Sequence, residues 1–383
     1  MNDAIYLDNA ATSYPKPEQV YQAVDKALRM GASPGRGGYQ KALSAERLVF
    51  ETRELLAELF NAPDSERFVF TANATTAINQ ALFGLLKPFD RVVTTSIEHN
   101  AVSRPLRALQ DSNNVDVVKV VADTQSGIVS VDALKEACLA AKTRLLLVNH
   151  CSNVFGGIQP IAELGHWCYQ QDILFMVDGS QSAGSLPIDF QALQVDLFAA
   201  PGHKCLLGPQ GTGFLYVAKH LNLIPLIYGG TGANSHSDLP PEELPERLEC
   251  GTFNLPGLAG LNAALEFLLE VGVQKIRHHE LQLLEFLLQG LRRISGVSLY
   301  GPAEIENRGA AVSFNIEGCD PAEVGFRLDH EYAISVRVGL QCAPDAHRTI
   351  GTYPHGTVRV SPGFFTTEAE LQKFLAAVKR IAG

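Results

Sequence analysis

The sequence predicts an α/β fold, with a large domain built on a mostly parallel central sheet and a smaller α+β domain. Three observations lead there. Short apolar runs alternate with helix-length segments through the middle of the chain, several of those runs are apolar at consecutive positions, and the composition shifts after about residue 229. Strands that alternate with helices are joined as parallel neighbours through crossover helices. Consecutive apolar positions mark strands buried on both faces.

Taken in order, residues 67–71, 91–95, 115–121, 144–149, 173–178 and 195–199 read as strands. Between them, 75–86, 101–110, 131–141 and 161–170 have helical length and patterning. The stretches 229–232 and 234–246 are rich in Gly, Ser, Pro and Glu and read as an exposed loop. A long helical region follows over 258–294, broken near Gly272. Strand-like 310–315 and 358–361 and a closing helix from about Thr367 complete the smaller unit. The expected division is a large domain over 15–255 and a small one formed by 1–14 and 256–383.

With 46% apolar and 19% charged residues over 383 positions, the chain has material for a large core and lacks the signature of disorder. A net charge of −10 argues against nucleic acid and anionic membrane as partners. No run of about 18 uncharged apolar residues is present, so no membrane span is expected. Residues 1–14 carry Asp3 and Asp8 and no apolar signal region, so no secretion signal is expected. Seven cysteines, an odd number with no C-x-x-C pair, predict neither a disulfide framework nor a metal site. Free thiols make the cytoplasm the expected compartment.

In a parallel sheet, ligands bind beyond the carboxyl ends of the strands. Asp178 ends one apolar run, and Lys204, in Pro201-Gly-His-Lys204, follows the next. Each alone is an ordinary strand-end charge. Together, a carboxylate and an amine aimed into one crevice suit pyridoxal phosphate (PLP). The amine bonds the cofactor aldehyde and the carboxylate keeps the pyridine nitrogen protonated. Desolvation would lower the lysine pKa and free its lone pair. Asn73-Ala-Thr-Thr76 opens a helix after a strand, which makes an anion site or, more plainly, a threonine cap. His99 lies after another strand and is either a ring-stacking or proton-moving imidazole or a solvated loop residue. Gln181 could donate to a ring oxygen or sit on a surface helix.

The ordered set Tyr6-Leu-Asp-Asn-Ala-Ala-Thr12, Ala74-Thr-Thr76, Glu98-His-Asn100, Ser152-Asn153, Asp178-Gly-Ser-Gln181, Gly202-His-Lys204 and Gly251-Thr-Phe-Asn254 resembles the class V aminotransferase family. The resemblance spans nearly the whole chain and is strongest to the cysteine desulfurase and selenocysteine lyase branch. It implies the PLP-dependent transferase fold of the aspartate aminotransferase type. By resemblance, Lys204 carries PLP, Asp178 pairs with the pyridinium, Gln181 bonds the ring hydroxyl oxygen and His99 stacks on the ring. Thr75, Thr76, His203 and Ser180 belong to the cofactor site, with Thr76 and His203 on the phosphate. Asn153 and Arg359 hold the substrate carboxylate, and Arg36 lines the entrance. Thr252 reaches the phosphate of a second subunit, which implies a homodimer. One departure stands out: many relatives have serine where this chain has Pro201. Either the phosphate grip is looser or Ser180 compensates.

Arg337-Val-Gly-Leu-Gln-Cys342-Ala resembles the short catalytic loop of desulfurases. A nucleophilic thiol needs thiolate character, and a cation such as Arg337 would favour it. The other reading of Cys342 is an inert free thiol, the reading given to Cys151, Cys168 and Cys205. Arg359 alternates with Val358 and Val360 and offers a fork for a carboxylate or, alternatively, a solvent-facing cation. The expected activity is conversion of L-cysteine to L-alanine with a persulfide on Cys342, His99 and Lys204 moving protons, and an acceptor protein or thiol taking the sulfur for iron–sulfur cluster biogenesis, tRNA thiolation or another cofactor. The alternatives are a selenocysteine lyase acting on L-selenocysteine, another class V lyase or transaminase without a persulfide, and a non-catalytic binding protein on this fold.

Overall fold

The computed structural model describes residues 4–35, 37–232 and 237–383. A short strand β1 (Ile5–Tyr6) precedes helices α1 (Glu18–Met30) and α2 (Gln40–Leu59). The chain then builds the large sheet from β2 (Phe68–Thr71), β3 (Arg91–Thr95), β4 (Asp116–Val120), β5 (Leu145–Asn149), β6 (Leu174–Asp178), β7 (Leu197–Pro201) and β8 (Gly213–Val217). Helices α3 (Ala74–Leu85), α4 (Asn100–Asn113), α5 (Val131–Leu139), α6 (Ile161–Gln170) and the short α7 (Phe190–Leu193) connect the strands.

The spatial order is β2-β8-β7-β6-β5-β3-β4. Pairing is parallel from β7 through β4, and β8 runs antiparallel to both neighbours. The expected mostly parallel sheet is therefore present. β8 escaped the sequence reading because a loop, not a helix, joins it to β7, so strand–helix alternation passes over it. A loop connection also permits the reversed direction.

β5 shows why consecutive apolar residues belong in this sheet. Leu146 and Val148 pack with α2, α6 and α8 on one face, and Leu145 and Leu147 pack with α3 and α4 on the other. Each such buried leucine contributes roughly 1.5–3 kcal/mol relative to exposure.

The chain continues through α8 (Leu255–Val271) and α9 (Val273–Arg292), separated at Gly272, whose φ of +84° suits glycine. The remaining elements are β9 (Val297–Tyr300), β10 (Val312–Ile316), α10 (Pro321–Tyr332), β11 (Ile334–Ser335), β12 (Arg337–Gly339), α11 (Pro344–Thr349), β13 (Thr357–Val360) and α12 (Glu368–Ala382). β12-β13-β10-β9 form an antiparallel sheet, and β1 pairs in parallel with β11. Ile5 and Leu7 join the apolar cluster of this second sheet. The division drawn at residue 256 falls at the start of α8, whose Leu258, Leu261, Leu265 and Leu268 pack into the large-sheet core. After α8 the chain feeds the second core, already joined by Ile5 and Leu7, only from Leu283 onward. Among the described residues no single helix is long and apolar enough to cross a membrane; α8 and α9 qualify only as a pair, bent by 81°.

Candidate active site

Five strand ends meet at one edge of the large sheet. Asp178 closes β6 and lies in register with Asn149 of β5 and Ala199 of β7. After β7 the chain turns tightly at Gly202, where a Cβ would strike the Thr212 hydroxyl. The turn is pinned by Gly202 N–H to Thr212 O at 2.8 Å and Gly208 N–H to Gly202 O at 2.7 Å. It delivers Lys204 to a cavity of ≈ 220 Å³ lined also by Asp178, Ser180, Gln181, His99, Thr75, His203, Asn153, Arg337 and Arg359. Burial lowers the Lys204 amine below its ordinary range, while Asp178 pulls the other way. Pro201 and Ser180 both line this cavity.

His99 caps α4: its Nδ1 accepts the Ala101 N–H at 3.0 Å. The neutral ring therefore carries its proton on Nε2. Burial, with Lys204 beside it, pushes the ring down to about 4, so it is neutral at physiological pH. His203 is likewise held down to about 4 by burial, and its Nδ1 is buried without a partner. Its carbonyl accepts from Ser13 N–H at 2.9 Å and Thr12 Oγ1 at 3.1 Å, tying the N-terminal segment to the lysine turn. Gln181 Nε2 donates to Ala10 O at 2.9 Å from the same side.

Asn73 caps α3 by accepting the Thr76 N–H at 2.9 Å. This separates the two threonines. Thr75 lines the Lys204 cavity, whereas Thr76 donates its hydroxyl to Asn73 Oδ1 at 3.2 Å and faces a neighbouring cavity with Thr252 and Phe253. Within one subunit, then, Thr76 and Thr252 are not in the wall around Lys204. Arg36 lies outside the described residues.

Arg359, on β13, is wholly buried rather than solvent-facing. Its Nη1 donates to Asn153 O at 2.8 Å and its Nη2 to Asp8 Oδ1 at 2.6 Å, while Nε is buried without a partner. Asp8, in the opening motif, is thus the ion-pair partner of this arginine, a role the sequence did not reveal. Arg337 stands opposite Arg359 across the β12–β13 pair. It lines the cavity and donates from Nη2 to Cys342 Sγ at 3.3 Å. Cys342 is exposed beside Arg337, and its carbonyl accepts the Asn100 N–H at 2.8 Å, next to His99. By contrast, burial raises the Cys138 and Cys151 thiols to about 12 and raises Cys168 and Cys205 as well.

The donor set fits PLP. An amine depressed by burial, a carboxylate at a strand end, an unpaired buried imidazole nitrogen and a helix N-terminus converge on one cavity. Among the described residues no cluster of three His, Cys, Asp or Glu side chains forms a metal site.

The aminotransferase class-V model matches residues 5–374. A probable cysteine desulfurase of Methanothermobacter thermautotrophicus is 35% identical over 100% of this chain and 96% of its own length. One from Pyrococcus abyssi is 32% identical over 99% of this chain and 94% of its own length. Among solved structures, apo cysteine desulfurase from Thermococcus onnurineus NA1 superimposes with a TM-score of 0.92 at 30% identity, covering 100% of this chain and 95% of that one. The cysteine desulfurase CsdA (S-sulfonic acid) of Escherichia coli gives 0.86 at 28%, covering 98% and 94%. The strand-end site and the full-length match agree: the chain belongs to the class V aminotransferase family.

Proposed function

We propose that this protein is a PLP-dependent cysteine desulfurase that converts L-cysteine to L-alanine and leaves the sulfur as a persulfide on Cys342. The observation that carries this reading is Arg337, which lines the Lys204 cavity and touches Cys342 Sγ at 3.3 Å. A cofactor pocket and a candidate nucleophile are thereby joined through one guanidinium.

Lys204 would hold the cofactor, Asp178 its pyridine nitrogen, Gln181 its ring oxygen, and Thr75, Ser180 and His203 its phosphate. Bound PLP supplies an electron sink for charge developing on the substrate carbons. Arg359, with its free Nε, and Asn153 hold the substrate carboxylate. Burial of Lys204 raises the fraction of free amine, which suits it to take the α-proton. His99 has its Nδ1 engaged with Ala101, so it acts by stacking or by giving its Nε2 proton, and the base role falls to Lys204. Cys342 forms the S–S bond as the substrate C–S bond breaks. Cysteine plus thiol gives alanine plus persulfide, with atoms balanced.

A homodimer fits the exposed apolar run at Ile224, Leu226, Ile227 and Tyr228, next to the cavity of Thr76 and Thr252. In that arrangement Thr252 serves the partner's phosphate. A thiol nucleophile and seven free cysteines suit the cytoplasm, where an acceptor thiol collects the sulfur. The test is mass spectrometry after incubation with L-cysteine, mapping added sulfur to a residue, with Cys342→Ala in parallel. Sulfur on Cys342 and loss of alanine release in the variant are expected. Alanine release at the wild-type rate by the variant rejects the persulfide route, and pyruvate with ammonia identifies a β-elimination lyase instead.

A further inference from the structure

The loop that carries Cys342 is strained and clamped from beneath. Gln341 and Cys342 are consecutive non-glycine residues with φ of +40° and +60°. Such a conformation is unfavourable for a residue with a Cβ and persists only where surrounding contacts over-determine it. Cys342 is held by its carbonyl at the Asn100 N–H and by its thiol at Arg337, and the remaining contacts converge on Gln341. Its side chain is buried, Nε2 donates to Thr357 O at 2.9 Å, and Oε1 lies 2.7 Å from His347 Nε2. Its carbonyl accepts from Asn153 Nδ2 at 2.7 Å. His347 is fully buried on α11, with Nδ1 2.7 Å from Thr352 Oγ1.

Donor directions along this chain are fixed. Because Gln341 Nε2 faces a carbonyl, its Oε1 must be the acceptor, so His347 Nε2 carries the proton. Nδ1 of the neutral ring then accepts from the Thr352 hydroxyl. Burial holds the His347 ring down to about 4, consistent with one neutral tautomer.

We propose that His347 is a positioning residue for the nucleophile: through its Nε2–H to Gln341 it holds the 340–343 turn in the left-handed geometry that keeps the Cys342 thiol beside Arg337. His347 touches neither the cavity wall nor the thiol. Its catalytic consequence rests on the desulfurase reading, whereas the ordering of the turn does not.

The experiment compares His347→Ala, His347→Gln and wild-type holoenzyme. Hydrogen exchange followed by mass spectrometry reads the 339–344 segment, and steady-state alanine production reads the chemistry. Expected for His347→Ala is exchange faster by about tenfold or more in that segment, with kcat lowered about 10- to 100-fold, the scale of an ångström-sized misplacement, and KM for L-cysteine within twofold. His347→Gln, whose Nε2 can donate to the same oxygen, restores both. Unchanged exchange in His347→Ala overturns the proposal. So does faster exchange without loss of kcat, and so does a His347→Gln variant as impaired as His347→Ala. Should His347→Ala fail to fold, Thr352→Val removes the hydroxyl that orients the ring, and the same two readouts decide in the same directions. If wild-type protein makes no alanine, the desulfurase reading fails while the exchange arm still tests the clamp.

Discussion

Glu98 is buried next to His99, which lines the Lys204 cavity. Its Oε1 accepts from Thr95 Oγ1 at 2.6 Å and Asn149 N–H at 3.1 Å, while Oε2 is buried without a partner. Burial, helped by the nearby Asp178 charge, raises its carboxyl to about 8. Burial therefore favours the protonated form in the folded protein at neutral pH, whereas the unfolded chain favours the ionised one. A carboxyl raised on folding contributes its stability fully below the unfolded value near 4.5, and loses it as pH climbs toward 8. The slope is about 1.4 kcal/mol per pH unit. Glu98→Gln cannot ionise and removes this slope. Urea denaturation at pH 5 and pH 8 is expected to show the variant gaining on wild type at the higher pH; a constant gap across that range rejects a neutral Glu98. The family motif exposed Glu98 as part of Glu98-His-Asn100, but its protonation state depends on the depth at which the fold buries it.

At the scale of elements, the site depends on how closely helices approach the sheet and each other. Gly165 on α6 lies against the end of α7, where a Cβ would run into the Leu193 carbonyl oxygen. Backbone cannot swing aside as a side chain can. Gly165→Ala should cost about 1–3 kcal/mol by forcing the helices apart, measured as a lower denaturation midpoint, and an unchanged midpoint would show that α7 yields freely. Segment 161–170 was legible as a helix from its period and coincides with α6. The closing helix expected from about Thr367 is α12, whose first turn is fixed by a reciprocal capping box between Thr367 and Glu370. Strand 195–199 is displaced to Leu197–Pro201, since β8 pairs as far as Pro201 with Gly213. That pairing partner was invisible to a reading based on local alternation.

For the whole molecule, the proposed dimer has a physical signature. Ile227 is 60% exposed and Tyr228 is 65% exposed in a run of apolar side chains beside the Thr76–Thr252 cavity. Contiguous exposed apolar surface of this kind marks an interaction site. Ile227→Glu is expected to shift the protein from dimer to monomer in analytical ultracentrifugation and, on the proposed role of Thr252 at the partner's phosphate, to weaken retention of PLP. A wild-type protein that sediments as a monomer would reject the interface.

The sequence by itself determined the α/β class, because strands buried on both faces leave consecutive apolar residues that no local context can disguise. It also determined the identities at the strand ends, since Asp178, Lys204 and His99 must follow particular strands to reach the ligand edge. Only the tertiary structure decided which threonine faces the lysine, that Asp8 pairs with Arg359 across 351 residues, and that Gln341 and His347 brace the cysteine turn. Those relations are set by burial and by contacts between segments remote in sequence. Their energies come from hydrogen bonds sheltered from water, and no short window of residues records where that shelter will form.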